Sequence, residues 1–226
     1  MPRETFDREL QNLQDEVLIL GSMVEKAILA SVEALKRRDM EAARGLIAGD
    51  RVLNKKRFDI EGEALVLIAT QQPMATDLRT LAAILDIATE LERMGDYAKG
   101  IAKINLMIGD RPLIKPLVDI PRMAEKATDM LHRALEAFAR QDVDLARSIP
   151  TEDDEVDNLY NQVFRELMTY ILGDPKSIED ANYLLWAAHN LERAADRVTN
   201  ICERVVFTVT GKMKELDVNE GEISGL

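Results

Sequence analysis

The chain has 226 residues, a mass of 25.4 kDa, 4% aromatic residues and few Gly or Pro. It is long enough to bury a substantial core, and Ala, Leu, Ile, Glu, Lys and Arg in these proportions belong to long packed helices, so the fold class is all-α. A net charge of −12 and a pI near 4.8 exclude a nucleic-acid surface, which needs clustered Lys and Arg, and disfavour docking on anionic lipid.

The N-terminus, Met-Pro-Arg-Glu-Thr, leads into polar helix without an apolar leader. Leu10, Leu13, Val17, Leu20, Val24, Ile28, Val32 and Leu35 step by three and four, which predicts one long amphipathic helix ending near Arg37-Arg38-Asp39. A second helix is predicted from about Met40 to Thr70, stopping at Gln71-Gln72-Pro73, and a third from about Asp77 to Ile108, stopping at Gly109. Asp110 to Pro121 holds three prolines and reads as a linker.

Beyond it the plan repeats. Helices are predicted over Arg122 to Arg140, about Val143 to Leu172 before Gly173-Asp174-Pro175, and about Ile178 to Thr210 before Gly211. Short connections force neighbouring helices antiparallel, so the expectation is two tandem antiparallel three-helix bundles related by an internal repeat. The first spans 1–110, the linker 111–121 and the second bundle 122–212. The acidic stretch 213–226, with no periodic apolar face, is expected to be disordered. No segment approaches the roughly 18 uninterrupted apolar residues of a membrane span. The single cysteine, Cys202, fits a reducing compartment and reads as a small buried hydrophobe.

The most informative feature is a repeated motif. Leu91-Glu92-Arg93-Met94-Gly95-Asp96 returns as Leu191-Glu192-Arg193-Ala194-Ala195-Asp196. On a helix, residues four apart share a face, so each copy pairs two carboxylates. Both pairs continue an apolar stripe: Leu81, Leu85 and Ala88 lead to Glu92, and Ala181, Leu185 and Ala188 lead to Glu192. Acids directed at a low-dielectric groove must be protonated, paired with a cationic side chain, or bound to a metal ion.

Residues equidistant from a tight turn lie level in an antiparallel hairpin, because each helix rises about 1.5 Å per residue. About the turn at Pro73, Glu92 and Asp96 are level with Asn54 and Asp50; about Pro175, Glu192 and Asp196 are level with Asp157 and about Asp153. Each half is therefore expected to assemble four oxygen-bearing side chains. Glu25, Asp129, His132 and His189 are weaker candidates for the same levels. Such a donor set suits hard ions better than a structural zinc site, with iron, Mn, Mg, Ca and Zn left open. The rival reading is a buried salt bridge supplied by Arg93, Arg193 or Lys99. Asp50 and Asp153 have a simpler reading too, as helix starts.

These residues resemble the PhoU family of phosphate-uptake regulators. The resemblance runs along essentially the whole helical length and rests on the two Glu-x-x-x-Asp motifs, Gln72-Pro73 to Thr76-Asp77-Leu78-Arg79, Leu167-Met168-Thr169-Tyr170, and Asn200-Ile201-Cys202-Glu203. It implies two similar three-helix bundles in a cytoplasmic, usually dimeric protein, with metal clusters at the acid motifs in some relatives. It also implies a role without catalysis: restraint of the phosphate ABC transporter through its ATPase subunit, and maintenance of the phosphate-sensing histidine kinase in its inhibitory mode when phosphate is plentiful. Two other readings stand beside it. One is a carboxylate-bridged metalloenzyme on a helical bundle, disfavoured by two histidines without Glu-x-x-His spacing. The other is a metal-free scaffold in which the acids are salt-bridge partners.

Overall fold

The structure, a computed structural model, describes residues 3–216. It contains helices α1 (Arg3–Arg37), α2 (Met40–Gln71), α3 (Ala75–Ile108), α4 (Asp119–Arg140), α5 (Val143–Ser148), α6 (Asp153–Gly173) and α7 (Ile178–Thr210), with no strand among the described residues.

The helix ends follow from local chemistry, and the two halves use the same devices. Arg38, with φ 57°, and Gln141, with φ 54°, turn the chain out of α1 and α4 in the left-handed region. The following aspartates then start the next helices: Asp39 accepts from the Ala42 amide and Asp142 from the Leu145 amide, each at 2.9 Å. Asn105 of α3 fastens the first of these corners from the side, its buried amide donating to the carbonyls of Ala34 and Asp39 at 3.0 Å.

The expected single helix over 143–172 is broken. Pro150 lacks the N–H that would continue the ladder, so a 3-10 turn at Ile149–Glu152 separates α5 from α6. The first helix of the second half also starts earlier than expected, at Asp119, with Pro121 accommodated in its first turn. Residues 211–216 carry no regular structure, yet Leu216 packs against the core and its amide donates to Glu203 Oε1 at 3.0 Å. The rest of the stretch expected to be disordered, 217–226, lies outside the described residues.

Burial sorts the helices into inner and outer ones. α3 and α7 are buried around much of their circumference, whereas α2 buries only a narrow line through Ala43, Asp50, Leu53, Ile60, Ala64 and Leu67, and α6 only Val156, Val163 and Leu167. α1 and α4 pack on each other and on the inner pair. One continuous apolar core runs through both halves. At its centre α3 and α7 cross antiparallel, and their register is read from Arg79 beside Thr208, Asp86 beside Arg204, Glu90 beside Asn200, and Arg111 beside Asp180. Gly100 leaves room for Asn190 at this crossing: a Cβ there would stand 3.3 Å from Asn190 Oδ1. This register sets the two copies of the acid motif on either side of an approximate two-fold relation between the halves.

Candidate functional site: two acid clusters between inner and outer helices

In the first half, the face of α3 bearing Glu92 and Asp96 is turned toward α2. Asp50 lies mid-helix on α2 and is 5% exposed, so it is not a helix cap. Lys99 Nζ, one turn beyond Asp96, donates to Asp50 Oδ2 at 2.7 Å and to Asp96 Oδ1 at 3.2 Å. Asn54 Nδ2 also donates to Asp50 Oδ2, at 3.2 Å, while Asn54 Oδ1 is buried without a partner. Burial raises the Glu92 carboxyl above its ordinary range, with the charges of Asp96 and Asp50 adding to the effect and Arg57 and Arg93 opposing it. The Lys99 ammonium is held above its ordinary value chiefly by its hydrogen bond to Asp50.

In the second half, α6 begins at Asp153, and Asp153 and Asp157 stand one turn apart facing Glu192 and Asp196 on α7. All four carboxyls are shifted upward. Burial pushes Asp153 up to about 7, followed by the charges of Asp196, Asp157, Glu192 and Asp154. Burial also leads for Asp157, Glu192 and Asp196, with neighbouring acids adding to each. Asp153 Oδ1 is buried and has no hydrogen-bond partner. Glu192 Oε2 lies 3.1 Å from His189 Nδ1, a donor to it only when that nitrogen carries a proton.

The structure therefore brings together both sets of four residues that the sequence levelled across the turns. The weaker candidates sort differently. Glu25 and His132 face each other between α1 and α4 at 3.4 Å, and Asp129 pairs with Arg133 at 2.9 Å. Arg93 turns to Glu90 at 2.6 Å and Arg193 lies over the ring of Tyr97, so of the three possible internal cations only Lys99 bonds members of an acid set.

Glu90 was not singled out by the sequence. It is buried at the junction of the halves, taking Arg93 from its own helix, with Arg197 at 3.5 Å and Asn200 at 3.2 Å from α7. No local pattern marks it, because its partners come from the other repeat. Cys202 is buried, and its thiol is pushed up to about 12, the condition of a packing residue rather than a reactive one.

As they stand, no three Asp, Glu, His or Cys side chains converge on one point as metal ligands among the described residues. The donor chemistry nevertheless fits a hard ion. Crowded carboxyls with raised pKa values and a buried oxygen without a hydrogen-bond partner are what a cation would relieve.

These features define a class: a duplicated all-helical protein in which each half carries an oxygen-rich cluster between an inner and an outer helix. The chain belongs to the PhoU family. The family model described as PhoU domain matches residues 17–104 and again 120–205, one match per half. A phosphate-specific transport system accessory protein PhoU homolog of Caulobacter vibrioides is 39% identical over 210 residues, covering 92% of this chain and 91% of that protein. The homolog of Clostridium acetobutylicum is 34% identical over 218 residues, covering 96% and 100%. Among solved structures, PhoU from Pseudomonas aeruginosa superposes with a TM-score of 0.86 at 33% identity, covering 92% of this chain and all of that one. The phosphate transport system regulatory protein PhoU from Streptococcus pneumoniae gives 0.85 at 32% identity, covering 92% and 99%.

Proposed function

We propose that this chain is a non-enzymatic accessory protein of phosphate uptake. It restrains a phosphate ABC transporter through the ATPase subunit and keeps a phosphate-sensing histidine kinase inhibitory when phosphate is plentiful, acting as a cytoplasmic homodimer recruited to the membrane by its partners. The observation that carries this reading is the match to the family through both repeats, with relatives named for phosphate transport along nearly their whole length. No helix among the described residues is long and apolar enough to cross a membrane, which is consistent with recruitment through partners. Val52, Phe58, Leu65 and Val66 of α2, each more than half exposed, give the outer helix apolar surface that supports protein contacts.

In this reading Glu92, Asp96, Asp50 and Asn54 in one half and Glu192, Asp196, Asp153 and Asp157 in the other are the residues that would hold metal ions. A bound ion would supply positive charge to crowded carboxylates and so fix the spacing of inner and outer helices. Iron, Mn, Mg and Zn are the candidates, to be separated by elemental analysis of protein purified without chelator. The regulatory role is tested by removing the protein from phosphate-replete cells and following phosphate uptake together with a reporter of the kinase. Raised reporter output and unrestrained uptake, both reversed by the intact chain, are expected. Unchanged uptake and reporter would sink the assignment, and metal-dependent turnover of a phosphate ester by pure protein would favour the metalloenzyme instead.

A further inference from the structure

The two acid clusters derive from one repeat but differ at two informative positions. Three residues after Asp96 stands Lys99, and three residues after Asp196 stands Thr199. The Lys99 ammonium bridges the outer and inner helices of the first half, bonding Asp50 Oδ2 at 2.7 Å and Asp96 Oδ1 at 3.2 Å, and its side chain is 26% exposed. A positive charge thus already sits between the carboxylates of Asp50 and Asp96. On α7 the two neighbouring arginines point elsewhere, Arg193 over Tyr97 and Arg197 toward Glu90, and the basic side chain that reaches an acid is His189, whose Nδ1 lies 3.1 Å from Glu192 Oε2 and which is an imidazole able to ligate a metal ion itself. The second cluster also has one more carboxylate, Asp157 standing where the first has Asn54, and it keeps Asp153 Oδ1 buried without a hydrogen-bond partner.

We infer that Lys99 is the built-in cation of the first cluster, so that the two sites are unequal: the second takes a metal ion, and the first takes one only when Lys99 is removed. This rests on the metal reading above and narrows it, because of the two residue sets named there only the second binds an ion in the intact chain. An ammonium and a divalent ion cannot occupy the same few ångströms between carboxylates, because their charges repel and both need the same lone pairs. The tethered lysine has the advantage of local concentration, while the ion must displace it and bring fewer anionic ligands together than it finds in the second cluster. The first half is thereby set permanently in the arrangement that the second half reaches only with metal.

The test uses the full chain and Mn²⁺ alone as probe, with binding followed by calorimetry and by the rise in unfolding temperature. Wild-type protein is expected to bind Mn²⁺ in one cluster, and the pair Asp153→Asn with Asp196→Asn to abolish that binding. Adding Lys99→Thr to this pair should restore Mn²⁺ binding at least about tenfold above the Lys99-containing parent, and further substitution of Asp50→Asn with Asp96→Asn should remove it. The reciprocal change, Thr199→Lys in the otherwise intact chain, should weaken Mn²⁺ binding about tenfold or more, which keeps the test decisive if loss of Lys99 unfolds the protein. Strong binding by the Asp153→Asn, Asp196→Asn parent would show Lys99 displaced and overturn the inference while the metal reading survives. Failure of Lys99→Thr to open the first cluster, with Thr199→Lys leaving the second unaffected, would overturn it equally. No Mn²⁺ binding by any variant would overturn both.

Discussion

The guanidinium of Arg193 lies 4.9 Å from the centre of the Tyr97 ring. Arg193 belongs to the second acid motif and Tyr97 follows the last residue of the first, so the two motifs touch through a cation on an aromatic face at the crossing of α3 and α7.

A double-mutant cycle of Tyr97→Leu and Arg193→Gln, read by chemical denaturation, is expected to give a coupling of about 0.5–1 kcal/mol, the range for a partly exposed cation–π pair. Additive effects would show that the two motifs stack without energetic consequence.

Gly21 marks the tightest approach of α1 to α4, where a Cβ would overlap the Cδ1 methyl of Leu135. Leu135 is 4% exposed and has little room to move. Gly21→Ala is therefore expected to destabilise the protein by about 1–3 kcal/mol through overpacking. With Leu135→Ala already present the same change should cost much less, and equal costs in both backgrounds would remove steric overlap as the cause.

Lys115, in the connection between α3 and α4, is 7% exposed and paired with Glu166 of α6. Breaking such a pair from one side strands a buried charge, so Glu166→Gln should destabilise by roughly 2–4 kcal/mol, whereas Lys115→Met combined with Glu166→Leu should come close to neutral. Thermal melts of the three variants check this, and a harmless Glu166→Gln would mean that the lysine swings into water.

In metal-free protein, stability should depend on pH through Asp153. Its folded pKa of about 7 lies above that of an unfolded aspartate, so the folded state holds a proton that the unfolded state releases. The contribution is fully present below about pH 4, is lost as pH rises toward about 7, and is level above that. The groups setting it are Asp154 and Asp157 on its own helix and Glu192 and Asp196 on α7. Glu152 works in the opposite direction: Arg133 first and then Lys126 hold it near 2, so its contribution is lost only as pH falls below about 4. Chelated protein should accordingly lose stability between about pH 5 and 7, by on the order of 1–2 kcal/mol once solvent screening is allowed for, and Asp153→Asn should flatten that fall. Urea titrations across this range decide it; stability that climbs with pH in the chelated wild type would contradict the assignment.

The sequence was most legible where a rule acts locally. The starts near Met40 and Val143 and the stops at Pro73 and Gly109 were read from local residues, and the steps through Leu13, Val17 and Leu20 give the buried face of α1 directly. The acid clusters were legible because hairpin geometry converts sequence distance into height, which brought Asp50 and Asn54 into consideration beside Glu92 and Asp96. Pro150 was harder to read. Apolar periodicity continues through Ile149 to Val156, and the missing N–H that divides the helix leaves no trace in that pattern. Glu90 was invisible for a different reason: its burial is set by Arg197 and Asn200, whose proximity is a property of the assembled halves.

The antiparallel crossing of α3 and α7 bears on what each half is when alone. Each half packs its own helices but leaves an apolar face of its inner helix that the other half's inner helix covers. A cut in the connection near Lys115 should therefore yield fragments that survive by re-associating in the original register. By the same geometry, a half-length chain with these surfaces would be one subunit of a symmetric pair, its inner helices meeting as α3 and α7 do at Gly100 and Asn190.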